Sequence, residues 1–225
     1  MRLEQVVPWG RSMAEYRDMF GLTVADIDLT ILDCGGGPAS FNAEMTSLGK
    51  SVISCDPIYQ FSADQIQVRI DETAPKIIEA VRANYDKFVW DRLGSIEGLI
   101  DTRMQAMSRF LADFSQGKVE GRYRTEELPH LPFEDDAFDL VISSHLLFTY
   151  SDQLSLDFHL SAIAEMLRVA REVRLFPLLV NMTGEVSPHL ATTIEHFQQL
   201  GWEVNRQTVA YEFQINGNQI LKIKR

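Results

Sequence analysis

The stretch Thr30-Ile31-Leu32-Asp33-Cys34-Gly35-Gly36-Gly37-Pro38-Ala39-Ser40-Phe41 decides how this chain is read. An apolar run reaches an acid, Asp33, and three consecutive glycines follow one residue later. That order predicts a buried strand and then a turn whose backbone approaches a ligand closely. Glycine serves where φ is positive or where a side chain would block the approach. A carboxylate at the strand tip repels a pyrophosphate a few ångströms away and suits a ligand carrying a positive amine or sulfonium. The expected ligand is therefore not a pyrophosphate.

Working outward, residues 27–32 read as the strand and residues 40–48 as a helix stopped by Gly49. Residues 51–55 form a second apolar run that closes on Asp56-Pro57. This is a β-α-β unit with short connections, which implies parallel strands and a right-handed crossover. Asp56 lies about twenty residues past the glycines, where an acid accepts hydrogen bonds from both ribose hydroxyls. Glycine turn and acid together suit NAD as well as other adenosine ligands. Gly35, Gly37 and Ser40 meet the dinucleotide spacing only with a serine in the last place, and this, with Asp33, weighs against NAD. Upstream, Ser12 caps a short helix, Met13–Phe20, that Gly21 ends.

Between residues 61 and 117 the strand rhythm stops. Pro75 suits the first turn of a helix. Ile77, Ile78, Val81, Tyr85 and Phe88 share one helical face, and a second stripe runs from Ile96 to Phe114. Two or three amphipathic helices are expected, as an inserted cap or lid or as ordinary crossover helices; the length of the segment favours the cap. The rhythm then returns. A short strand is expected at 122–125, a strong one over Phe138–Ser144, a helix over 154–168 and a strand over 172–180 that Pro177 weakens. A helix to Leu200 follows. Two final strands, 203–210 and 219–224, flank the turn Asn216-Gly217-Asn218.

At this point the chain resembles the class I S-adenosylmethionine-dependent methyltransferases. Leu32-Asp33-Cys34-Gly35-Gly36-Gly37 is similar to their first motif, and Cys55-Asp56-Pro57 to the acidic end of their second strand. The segment from Leu131-Pro132-Phe133 through an acidic turn to Phe138-Asp139-Leu140-Val141 is similar to their approach to the fourth strand. Gly201-Trp202-Glu203-Val204 and the terminal hairpin also fit. The resemblance covers about three quarters of the chain and leaves out the helical middle. It implies an α/β, Rossmann-like, doubly wound fold. The sheet would be mostly parallel and seven-stranded, with a C-terminal antiparallel hairpin and a helical insertion after the second strand, in one domain.

The resemblance also implies roles. Gly35, Gly36 and Gly37 would pass under the methionine and ribose of S-adenosylmethionine, and Asp33 would lie near its amine, directly or through water. Asp56 would grip the ribose, and Pro57 and Ile58 would flank the adenine. Glu126 or Glu127 would meet the adenine amino group. Ser143, Ser144 and His145 would end the fourth strand beside the reacting methyl, with His145 the candidate general base. Arg11 and Tyr16 are candidates for the cofactor carboxylate. Each has a plainer structural reading: Asp33 as a turn cap, Asp56 as a turn acid before proline, His145 as a core histidine. Asp139 is expected to fix backbone amides.

Methyl transfer from a sulfonium needs no protein nucleophile, which agrees with the lack of a triad or a reactive cysteine. Cys34 and Cys55 read as core residues at strand ends. The histidines show no ligand spacing, so no metal is expected. Ser143-Ser144-His145-Leu146 is not the Asn/Asp-Pro-Pro-aromatic turn of enzymes that methylate exocyclic base nitrogens, and no Pro-Cys pair serves cytosine C5 chemistry. A net charge of -11 over 225 residues opposes a polyanion. A small-molecule acceptor is expected, with no nucleic-acid or membrane partner. No apolar signal region opens the chain and no apolar run approaches the ~18 residues of a membrane span, so a cytoplasmic location is the expectation. Two other readings stay open: a non-catalytic S-adenosylmethionine-binding regulatory relative, and an NAD-type oxidoreductase.

Overall fold

All four residues of strand β1 (Ile31–Cys34) are buried, as they must be in a parallel strand covered on both faces. The computed structural model describes residues 8–225, and β1 sits near the middle of its sheet. It pairs in parallel with β2 (Val52–Cys55) on one side and with β4 (Phe138–Ser144) on the other. Outward from β2 lies the two-residue β3 (Tyr123–Arg124). Outward from β4 lie the parallel β5 (Ala170–Phe176), then β7 (Gln219–Lys224) and β6 (Glu203–Thr208), with β7 antiparallel to both neighbours. The order is β3-β2-β1-β4-β5-β7-β6, a seven-stranded, doubly wound sheet whose strand order reverses between β1 and β4.

Strand alternation sorts the core into two layers. Leu32, Cys34 and Val141 face helices α5 (Leu156–Val169) and α6 (Leu190–Gln199). Ile31, Leu140 and Ile142 face α1 (Met13–Phe20) and α2 (Phe41–Ser47). Asp33 shares the second face, which decides its surroundings. Ser12 caps α1 with a capping box to Glu15, and Gly21 closes it in the left-handed conformation. Asp139 takes its expected part: its carboxylate accepts from the Thr30 N–H at 3.0 Å and the Thr30 hydroxyl at 2.7 Å, tying β4 to the start of β1.

The middle of the chain folds as two long helices with different partners. α3 (Ala63–Ala83) opens on a capping box from Ser62 to Gln65, twelve residues before Pro75, so Pro75 lies inside the helix and not in its first turn. α4 (Ile96–Val119) packs on α2 and delivers the chain to β3, which makes it the crossover between β2 and β3. α3 packs on α4 from outside, through Ile66 and Ile70 against Met107, Phe110 and Phe114.

Other boundaries also move. Residues 26–28 form a short 3-10 turn, so β1 starts at Ile31 and not at 27. β5 stops at Phe176, since Pro177 has no N–H to continue the ladder. The β6–β7 connection is not a tight hairpin. Pairing ends at Thr208↔Gln219, and the residues between fold back over the strand ends. There the Val89 N–H donates to the Phe213 carbonyl at 2.7 Å and the Ile215 N–H to the Lys87 carbonyl at 3.0 Å. The segment after α3 is thus strapped to the C-terminal loop. Among the described residues, no helix is long and apolar enough to cross a membrane.

Candidate active site

The glycine turn is fixed from below. Gly35 has φ +71 and donates its N–H to the Cys55 carbonyl at 2.8 Å. Its neighbour is glycine because of close packing: a Cβ on Gly36 would overlap Asp33 Oδ2 and come within 2.9 Å of the Tyr59 hydroxyl. Tyr59 donates that hydroxyl to the Gly37 carbonyl at 2.8 Å. Asp56 holds the turn from the side, accepting the Gly37 N–H at 2.9 Å on one oxygen and the Ile58 N–H at 2.9 Å on the other. Each oxygen keeps a lone pair for a second donor, so the carboxylate can still accept two hydroxyls. Burial raises the pKa of Asp56, and Glu127 adds to the rise against the pull of the two N–H groups.

Above the turn opens a cavity of about 1030 Å³ across the carboxyl ends of the parallel strands. Pockets for one small molecule span about 300–1,000 Å³, and this cavity stands at the top of that range. Arg11, Tyr16, Gly35, Gly36, Gly37, Asp56, Pro57, Ile58, Glu126, Glu127, Ser144 and His145 all line it. Both candidate acids after β3 reach the cavity. Glu126 is held by Arg124 at 2.6 Å, whereas Glu127 has no ion pair among the described residues.

Asp33 and Ser143 do not line the cavity. The Asp33 carboxylate lies behind the turn, accepting from the Tyr16 hydroxyl at 3.3 Å and the Ser54 hydroxyl at 3.1 Å. This corrects the expectation of direct contact with a ligand amine: the period-two alternation of β1 turns Asp33 toward α1. Burial raises its pKa from 3.8 to about 7. Ser143 is buried in β4 with its hydroxyl unpartnered, and only the next residue along reaches the strand tip. Tyr16, whose hydroxyl is engaged with Asp33, still lines the cavity.

Arg11 is the cation of the site. Its Nη1 donates to the Trp9 carbonyl at 3.1 Å, and its Nε is buried with no partner. Burial, with Arg103 nearby, lowers its pKa, so the guanidinium favours an anion beside it. Behind it lies a network that spacing could not show. Arg103 of α4, wholly buried, bonds Glu15 of α1 at 2.6 Å and the Tyr211 hydroxyl at 3.1 Å, joining three distant segments.

His145 ends β4 at φ +52, a region that residues with a side chain avoid. Its N–H donates to the Phe176 carbonyl at 2.7 Å and its Nδ1 lies 2.8 Å from Ser144 Oγ. Burial, then Arg11 and Arg103, push its pKa well below 6.5, so the ring is neutral at the cavity wall. Beyond it stand Trp9, Phe88, Phe213 and Met182, which sequence reading did not join. Phe88 belongs to the stripe expected from sequence, but its partner Phe213 lies 125 residues away and carries no motif.

A family model described as a methyltransferase domain matches residues 94–173, from α4 through β4 into β5. Over its whole length the chain is 29% identical to the uncharacterized protein MJ0045 of Methanocaldococcus jannaschii, across 99% of that protein. Among solved structures it is similar to the magnesium protoporphyrin IX methyltransferase of Synechocystis PCC 6803 with bound SAM. That likeness has 13% identity and a TM-score of 0.43, and covers 94% of this chain and 90% of that one. It is also similar to a SAM-dependent methyltransferase from Aquifex aeolicus, at 12% identity and a TM-score of 0.39, over 87% and 80% of the two chains.

Proposed function

We propose that this chain is a class I S-adenosylmethionine-dependent methyltransferase that methylates a small-molecule acceptor; the methyltransferase-domain match over residues 94–173 and the glycine turn at the point where the strand order reverses support the reading. One observation carries the reading. One cavity runs from the glycine turn to an aromatic chamber past His145, which supports a cofactor and a second small molecule lying side by side. The acidic surface disfavours a nucleic-acid acceptor.

S-adenosylmethionine, when bound, supplies an electrophilic methyl on a positively charged sulfur. The residues present fit that molecule. Arg11, which lines the cavity and has a buried Nε without a partner, pairs with its carboxylate. The spare lone pairs of Asp56 accept from the ribose hydroxyls, and Pro57 and Ile58 flank the adenine. Glu127, free of an ion pair among the described residues, meets the adenine amino group; Glu126 is committed to Arg124. The glycine backbone passes beneath. Ser144 and His145 stand where β4 ends, beside the methyl. The chain's contribution is orientation and exclusion of water. α3 forms the outer wall, and the strap that follows it holds that wall against the C-terminal loop.

Calorimetric titration with S-adenosylmethionine tests the assignment. Asp56→Ala is expected to weaken binding by about tenfold or more, since two charge-assisted hydrogen bonds are lost. Undiminished affinity in the folded variant would show that Asp56 is not the ribose acid.

A further inference from the structure

The cavity spans the point where strand order reverses, and the two sides of that point differ in chemistry. Asp56, Glu126 and Glu127 lie on the β2–β3 side. On the β4–β5–β7 side the wall is one apolar cluster: Trp9, Ile77, Val81, Phe88, Met182 and Phe213. Phe88 and Phe213 stack there, with ring centroids 4.6 Å apart and planes 19° from parallel. The other charged residues at the cavity are committed elsewhere. Arg69 and Glu72 pair with each other at 3.5 Å on the solvent side of α3, and Arg11 faces the cofactor end.

Polar residues reach this side too, Asn181 and Gln214 among them, and two groups there, Thr149 and His145, bear on what it can bind. Thr149, in the turn after β4, is buried, and its hydroxyl has no hydrogen-bond partner. Its backbone is fixed, its carbonyl accepting the Asn181 N–H at 3.0 Å. A buried hydroxyl left without a partner is costly, and a ligand atom that bonds it recovers that cost. The second group is His145. Its Nδ1 lies 2.8 Å from Ser144 Oγ, and in the tautomer whose Nδ1–H donates to that oxygen Nε2 is an acceptor.

Resting on the methyltransferase reading above, we propose that this chamber takes a neutral, flat, largely apolar molecule bearing a hydroxyl group, that the methyl goes to that oxygen, and that Thr149 selects for it. An ammonium acceptor would find no carboxylate in the chamber, and a carboxylate acceptor no cation beyond the one engaged by the cofactor. A hydroxyl both donates and accepts, which answers Thr149 and the accepting ring nitrogen together. The acceptor oxygen's lone pair forms the O–CH3 bond as the S–CH3 bond breaks, with that bond's electrons staying on sulfur. The hydroxyl proton passes to His145 Nε2 and from there to water.

Calorimetry on the full chain saturated with S-adenosylhomocysteine, near neutral pH, tests this with three probes of one shape: 2-naphthol, 2-naphthoate and 2-naphthylmethylammonium. 2-Naphthol is expected to bind about tenfold or more tightly than either ion, because the chamber leaves a charge unpaired. Thr149→Val, equal in shape, is expected to weaken 2-naphthol by about three- to tenfold and to leave S-adenosylhomocysteine affinity unchanged. An ion that binds as well as 2-naphthol, no binding of 2-naphthol, or full affinity in the Thr149→Val protein overturns the inference while the methyltransferase reading stands. Failure of the wild-type chain to bind S-adenosylhomocysteine overturns both.

Discussion

Replacing Asp33 by Asn should make the protein more stable at neutral and alkaline pH, and the size of the gain follows from the burial of the carboxylate. Asp33 is 1% exposed and receives two hydroxyl hydrogen bonds, from Tyr16 and Ser54. Those bonds favour the charged form, but burial outweighs them and, with Asp56 nearby, raises the pKa from 3.8 to about 7. At low pH the carboxyl is neutral in both the folded and unfolded chain, and its contribution to stability is fully present. As pH rises from the unfolded value toward the folded one, the unfolded chain gives up its proton while the folded chain keeps it, so stability falls. Above the folded value the loss is complete, and the gap between the two values corresponds to about 4 kcal/mol. Asn keeps a carbonyl oxygen for Tyr16 and offers Ser54 a donor, without a charge at any pH. Urea unfolding of both proteins without cofactor, from about pH 5 to about pH 8, gives the difference directly, and other titrating groups cancel. The variant's advantage should grow across that range, from about 1–2 kcal/mol to about 3–4 kcal/mol. A pH-independent difference, or a variant less stable at the alkaline end, would refute the claim that Asp33 is a buried carboxylate held near neutrality.

Two further substitutions test the frame around the site. Arg103→Met leaves Glu15 as an uncompensated buried charge, and urea unfolding should show a loss of about 3–5 kcal/mol, of which the double variant Arg103→Met/Glu15→Leu regains a large share. Gly36→Ala drives a methyl into Asp33 Oδ2 and the Tyr59 hydroxyl. The turn must lift, at a cost of about 1–3 kcal/mol, and titration with S-adenosylhomocysteine should show weakened binding. Unchanged affinity would mean the turn does not carry the ligand.

What could be read from sequence was set by local signals. Three glycines after a strand, an acid before a proline at the next strand tip, and a serine-capped first helix each depend on a few adjacent residues, and all lie where spacing put them. The Asp139 clamp on Thr30 was likewise readable from its place at the head of a strong strand. Side-chain direction was less accessible. Asp33 stands one residue from the glycines, yet strand alternation turns it to the α1 face, where Tyr16 and Ser54 receive it. The far wall of the cavity was not legible. Phe88 meets Phe213, and Glu15 meets Arg103 and Tyr211, across long stretches of chain, with no motif to mark the meeting.

The segment 61–117 shows why a break in rhythm is a poor guide to a unit of function. Read as one insertion, it invites excision in one piece. In the fold its two helices have different partners. α4 lies against α2, delivers β3 to the sheet edge and carries Arg103 into the pair with Glu15. Removing it would take away the crossover on which the sheet order depends. α3 packs mainly on α4 and gives Ile66, Ile77 and Val81 to the cavity wall. The amphipathic pattern is alike in both helices, because each buries one stripe. What separates them is the object of burial: for α4 the sheet layer, for α3 the roof of a cavity. Variation in acceptor among proteins built on this plan should therefore concentrate on α3, the strap that follows it and the 209–218 loop it grips, with α4 held constant by the core.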